Sequence, residues 1–356
     1  MAERGEHTIN EILSQPLTWK DALEAYRLRK SSIEALWQRQ TIDQVIFTGC
    51  GSTHYLSMTA AALFQSLTGV PSQARPASEL IIFPGLVFAP KSQSMLVAIS
   101  RSGETTETVE AVQVFRTRTN GPVIAITCYG DSKLASEADV ALVAAAAHEK
   151  SIAQTRSFTS MTVLSEALAG HLAGHDDQQV LDQLPTWGER LLRMHQSIAQ
   201  EIGEDKTLER YFFLGSGQLY GIACEAMLKM KEMSLAYSEA YHPLEFRHGP
   251  MSMVNEQTLV VGLLSDEGLQ HETAVLEQMQ NLGARILAIS ERDDLPLPVD
   301  SLNGIYLKSG LPEWVRTVLY LPTLQLMAYH RAMARGLNPD KPTNLDAVVR
   351  LEAFER

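Results

Sequence analysis

Cysteine is scarce. Cys50, Cys128 and Cys224 are the only three in 356 residues, too far apart for a disulfide framework or for metal-ligand spacing, and they read as buried thiols of a reducing compartment. Positive charge is in deficit as well. Against 42 Asp and Glu stand 30 Lys and Arg, and the net charge of -12 repels a phosphate backbone at long range. Nucleic acid is therefore not an expected partner, although a local pocket can still hold a small anion. No apolar run approaches the roughly 18 residues of a membrane span. The opening MAERGEHTINEIL puts acids where a signal peptide needs an apolar core. A cytoplasmic protein with no membrane partner is the expectation. What is present is ordinary globular material, 45% apolar and 20% charged, long enough for two domains that each bury a core.

Residues 1–40 have apolar side chains at helical spacing (Trp19, Ala22, Leu23, Tyr26, Ile33, Leu36, Trp37), which predicts a helical lead-in. From Val45 the pattern changes. VIFTGCGSTHYLSMTAAALFQSL reads as strand, Gly-rich turn and helix, MLVAISRSGETTETVEAVQVFRTR as a second such unit, and PVIAITCYGDSKLASEADVALVAAA as a further strand, turn and short strand. After a helical stretch around 160–205 the order returns. YFFLGSGQLYGIACEAMLKMKEM matches the first unit, LVVGLLSDEGLQHETAVLEQM the second and ARILAISERDDL the third. Strands alternating with helices predict parallel sheets covered on both faces. The expected fold class is thus α/β, two copies of a doubly wound, flavodoxin-like domain: lead-in 1–40, first domain 41–195, second domain 196–340, tail 341–356.

The copies differ where chemistry would sit. In the first, Ser100, Ser102, Gly103, Glu104, Thr105 and Thr106 lie between a strand and the helix TETVEAVQVF. Free N–H groups and a positive dipole end at that helix start, with hydroxyls beside them, can cradle a phosphate without lysine. Ser or Thr before a helix is also a plain N-cap, but one hydroxyl suffices for that. The second copy has the acidic turn SDEG instead, so phosphate is expected at the first. Gly49-x-Gly51 followed by Ser52 and Thr53 is a weaker sign. A dinucleotide fingerprint would need a third glycine where His54 stands and an acid nearer than Glu79, and no Gly-Lys-Ser/Thr is present.

In the second copy Glu225, Lys229 and Glu232 share one helix face. A surface ion ladder would look the same, but Ala226, Met227, Leu228, Met230 and Met233 flank them, and a charged trio in a buried helix is costly unless used. Glu245-Phe246-Arg247-His248-Gly249-Pro250 puts an imidazole in a Gly-Pro turn. Gln154, Thr155, Arg156 and Ser157 form a polar cluster after Ile152-Ala153, readable equally as an exposed loop.

These pieces, FTGCGSTHY, AISRSGETTET, SIAQTRSFT, the run from FFLGSGQLYG to EFRHGP, and KPTNLDAVVRLE, resemble the sugar isomerase (SIS) family, in particular the isomerase half of glutamine-fructose-6-phosphate transaminase and relatives without its glutaminase domain. The resemblance covers about residues 45–350. It implies that Thr53, Ser100, Arg101, Ser102 and Thr105 surround a sugar phosphate, with Gly51, Ser52, Ile152, Ala153, Gln154 and Glu225 near the sugar. Glu232 would be the base moving a proton between C1 and C2, Lys229 its assistant, and His248 the group that opens the ring. A histidine reaching the neighbouring subunit's site implies a homodimer. A cation such as Lys229 can stabilise the developing enediol charge, and a glutamate buried at an apolar wall is suited to take a proton and return it. No metal or organic cofactor is required.

The chain departs from the transaminase in having no cysteine before Cys50 to serve a glutaminase, and in carrying Ala347 where that family has an imine-forming lysine, with Lys341 six residues earlier. What the resemblance then implies is an aldose-ketose isomerase with deaminase activity on an amino-sugar or ketose 6-phosphate. A transaminase-like isomerase or a fructosamine-phosphate deglycase is the near alternative, and a non-enzymatic sugar-phosphate sensor the alternative of another class. A DNA-binding helix-turn-helix does not fit in the acidic residues before Val45, and a sensor has no use for both Glu232 and His248.

Overall fold

The computed structural model describes residues 3–89, 92–175, 178–295 and 302–346. They form two compact units. One comprises Ser14–Glu149 and Arg156–Pro185; the other comprises the residues up to Leu13, the short connector Lys150–Thr155, and Thr186–Leu345. Among the described residues no helix is long and apolar enough to cross a membrane.

The first unit holds β1 (Gln44–Gly49), β2 (Ser72–Pro76), β3 (Ser94–Ser100), β4 (Val123–Thr127) and β5 (Val140–Val143), all parallel, in the order β2-β1-β3-β4-β5. The three inner strands are continuous apolar runs buried along almost their whole length, as a parallel sheet covered on both faces demands. One face packs Ile46, Leu96, Ala98 and Ala125 against Val109, Val112 and Phe115 of the Thr106–Arg118 helix. The Ser52–Thr68 and Gln15–Arg27 helices pack on the Arg156–Leu172 helix.

The second unit repeats the plan with β6 (Arg210–Gly215), β7 (Tyr237–Tyr241), β8 (Thr258–Leu263), β9 (Arg285–Ser290) and β10 (Leu302–Tyr306). Its order, β7-β6-β8-β9-β10 read from one edge, is the same, and every pairing is parallel. The expected doubly wound α/β fold, present in two copies, is what the chain adopts. The repeat extends to backbone angles: Gly51 has φ 55, ψ -125 and Gly217 has φ 54, ψ -129, a region that side chains avoid. Each starts a helix straight after a first strand.

In this strand order the chain leaves β1 towards one edge and returns to the other side at β3, and the crevice outside the carboxyl ends of those two strands is where open α/β sheets bind ligands. Gly49 ends β1 and Ser100 ends β3. The fold therefore brings two stretches read separately from the sequence, Gly51–Thr53 and Ser100–Thr105, to one end of neighbouring strands. The cysteines are all free, but only Cys128 and Cys224 are buried; Cys50, in the β1 turn, is half-buried, correcting the expectation for that thiol. Burial pushes the Cys50 thiol up to about 11.

Candidate active site

The turn after β3 is held open by its own hydroxyls. Ser100 Oγ accepts the Gly103 N–H (3.2 Å) and meets Thr105 Oγ1 (3.2 Å), while Ser102 Oγ accepts the Glu104 N–H (3.1 Å). Gly103 is obligatory, since φ is +66 and a Cβ there would lie 2.0 Å from Ser132 Oγ. Thr105 is the N-cap residue of the Thr106–Arg118 helix, yet its side chain makes no capping bond. The plain N-cap reading thus fails for Thr105. Thr53 behaves differently: its hydroxyl accepts from Cys50 N (3.0 Å) and donates to Cys50 O (3.0 Å), tightening the β1 turn. Ser52 is buried beside it and Gly51 is exposed.

Arg101 brings charge to the turn. Its guanidinium lies 3.2 Å from Glu149, with side chains 11% and 0% exposed, and Glu149 also accepts Ser157 N (3.1 Å) and Ser157 Oγ (2.5 Å). Sequence reasoning missed Glu149, because nothing local links a glutamate to an arginine 48 residues away. The Arg101 carbonyl accepts Cys128 N (3.0 Å) and Thr127 Oγ1 (3.2 Å), fixing the turn to the end of β4.

The second unit closes the corresponding turn from within. Ser265 Oγ accepts Gly268 N (3.0 Å), the same bond that Ser100 makes to Gly103. Here, however, the Glu272 carboxylate takes Ser265 N (2.7 Å) and Ser265 Oγ (3.0 Å), and Asp266 pairs at 2.5 Å with the buried Arg316. An internal carboxylate thus occupies the second unit's turn. Glu107, which stands in the same relation to Ser100, makes no hydrogen bond to its turn among the described residues.

The charged trio lies on the Gln218–Ser234 helix, a run of good helix formers ended by Leu235 at φ 54 and held at its C-terminus by Arg335, which donates to Ser234 O (2.9 Å). Lys229 Nζ lies 3.2 Å from Glu225 and 2.5 Å from Glu232. Lys229 and Glu225 are 0% exposed, so this is no surface ladder. The burial expected for Glu232 falls instead on these two; Glu232 is 18% exposed and is the member a ligand can reach. Burial alone would lower the Lys229 pKa, but the attraction of Glu225 and Glu232 outweighs it and holds the ammonium above its ordinary 10.5.

The connector belongs to this same unit. Ala153 is buried, Ile152 and Gln154 are partly so, and Thr155 is buried, so the stretch is not an exposed loop. His248 is exposed, and no hydrogen bond or ion pair joins it to the trio among the described residues. Lys341 is also exposed, and Ala347 lies outside the described residues.

Two parallel-sheet units repeated along one chain define the class, and the chain belongs to the SIS domain family, whose model matches residues 40–170 and 207–335. It is 28% identical to "Glutamine--fructose-6-phosphate aminotransferase [isomerizing]" of Methanothermobacter thermautotrophicus over 99% of this chain and 59% of that protein. The Escherichia coli O157:H7 enzyme of the same name is 30% identical over 87% of this chain and 52% of its own length. The chain thus spans between half and three fifths of these relatives. Among solved structures, glucosamine-6-phosphate deaminase from Thermotoga maritima superposes with TM-score 0.78 at 28% identity, over 97% of this chain and 100% of that one. Tagatose-6-phosphate ketose/aldose isomerase from Escherichia coli gives TM-score 0.85 at 24% identity over 96% of each, a likeness of fold.

Proposed function

We propose that the chain is a phosphosugar aldose-ketose isomerase with deaminase activity, acting in the cytoplasm on an amino-sugar or ketose 6-phosphate. The observation that carries this reading is Lys229, an ammonium with no exposure between two carboxylates, one of which remains reachable. On the buried side of a helix such a group is costly, and proton transfer next to a carbonyl supplies the use. Thr53, Ser100, Arg101, Ser102 and Thr105 receive the phosphate; Gly51, Ser52, Ile152, Ala153 and Gln154 surround the sugar, while Glu225, expected there, is 0% exposed and holds Lys229 instead.

Glu232 takes the proton from C2 of the open-chain aldose and returns it to C1, while Lys229 stabilises the enediol charge that develops in between. With an amine on C2 the same shift leaves an imine at C2 and an alcohol at C1, and water then releases ammonia and the ketose phosphate. His248 opens the sugar ring, contributed by a second copy of the chain in a homodimer. The match to a deaminase along the whole of both chains supports the amino-sugar branch.

Proton NMR in D2O with glucosamine-6-phosphate, and separately with fructose-6-phosphate plus ammonium, tests the reading. Exchange at C1 and C2 that vanishes in Glu232→Gln, with sugar-phosphate binding retained, is the expected result. Saturable binding without exchange in the wild type would make the chain a sensor instead.

A further inference from the structure

We infer that Glu11, on the Glu6–Leu13 helix, is a positioning residue that sets the sugar-contact segment Ile152–Gln154. Its side chain is buried, 3% exposed, 139 residues from its partners. The carboxylate gathers the Lys150 N–H at 2.6 Å, the Ser151 N–H at 3.4 Å from each oxygen, and the Ser151 hydroxyl. Converging donors on one buried carboxylate fix both the carboxylate and the backbone that supplies them.

Further tethers hold the rest of the segment. Ile152 N donates to Asp340 O (3.1 Å) and Gln325 Nε2 to Thr155 O (3.3 Å). The carboxylate of Asp340 accepts Thr8 N (2.8 Å) and Thr8 Oγ1 (2.7 Å), so the helix that carries Glu11 also holds the residue whose carbonyl accepts Ile152. Within it the Gln154 Oε1 is buried and has no hydrogen-bond partner among the described residues. A buried acceptor left unpaired calls for a donor, and a sugar hydroxyl or protonated amine is one. The clamp therefore holds a selective acceptor in place, and Glu11 acts through Gln154 rather than on the substrate.

This inference rests on the function proposed above, and the test separates the two. Glu11→Gln is compared with Glu11→Asp and with Ile12→Ala, which perturbs the same helix at a buried apolar neighbour without touching the carboxylate. Displacing contact groups by about 1 Å costs on the order of 100-fold in kcat/KM. Glu11→Gln is expected to show a loss of that order, carried mainly by KM for glucosamine-6-phosphate, with the inhibition constant of inorganic phosphate unchanged and partial rescue by Glu11→Asp. Amide hydrogen exchange in 150–155 is expected to accelerate in Glu11→Gln and not in Ile12→Ala. Equal KM in Glu11→Gln and Ile12→Ala at matched melting temperature, or faster exchange with KM unmoved, overturns the positioning role and leaves the function standing. A wild type that neither binds nor turns over any sugar phosphate overturns the function, before any variant is compared, and the inference with it.

Discussion

Glu272 turns its carboxylate back onto Ser265, accepting that residue's N–H at 2.7 Å and its hydroxyl at 3.0 Å. Ser100, at the same place in the other copy, accepts the equivalent glycine N–H, but among the described residues it meets no carboxylate of its own helix. A turn already holding an anion has no room for another.

The expected outcome is one phosphate per chain, at the Ser100 turn. Ser265→Ala is expected to lower stability by about 1–2 kcal/mol through the lost buried hydrogen bonds, with no change in the affinity for inorganic phosphate. Ser102→Ala and Thr105→Val are expected to weaken phosphate severalfold. Calorimetric titration giving two phosphates per chain, or an effect of Ser265→Ala on affinity, would contradict the assignment.

Lys229 gives a stability prediction with a defined sign. Its pKa is higher in the folded chain than its ordinary 10.5, so the stabilisation is complete below 10.5 and is lost as pH rises through the folded value. Lys229→Met leaves Glu225, 0% exposed, without its counter-charge, and such truncation of a buried pair costs about 3–5 kcal/mol. Urea denaturation should show the variant weaker at neutral pH, with the gap narrowing on the alkaline side of 10.5. A gap independent of pH would mean that Lys229 matters only as packing.

The repeat and the inner strands were legible because buried parallel strands are unbroken apolar runs, as in Ser94–Ser100. The edge strands β2 and β7 were not: SQARP and YSEAY lie half in solvent and carry little apolar signal. The Ser100–Thr105 turn and the Glu225-Lys229-Glu232 face were legible because their members are neighbours in sequence. Glu149 at Arg101 and Glu11 at Ser151 were not, since each joins elements by a long-range contact that leaves no periodicity behind.

The Arg101–Glu149 pair makes two opposite predictions. Arg101→Met removes the guanidinium from the turn and should weaken inorganic phosphate about tenfold at low ionic strength, less at high. Glu149→Gln removes a negative charge beside the guanidinium and should tighten phosphate while lowering the melting temperature, since the buried pair, at 3.2 Å, is broken. Affinity measured at two salt concentrations decides. Weakening in both variants would make Arg101 a structural partner of Glu149 rather than a phosphate group.

His248 stands exposed at the start of the Pro250–Met253 turn, without a bond to the Lys229 trio among the described residues. If it serves the site of a second copy in a symmetric dimer, Glu232→Gln and His248→Asn are complementary defects. Each variant alone is expected to lose turnover, a general acid-base group contributing about 10²–10⁴-fold. Unfolding and refolding the two together produces mixed dimers in which one site carries both substitutions and the other carries neither. Random mixing then restores about one quarter of wild-type activity. A mixture as inactive as its parents, with dimers shown by light scattering, would place His248 with the Glu232 of its own chain.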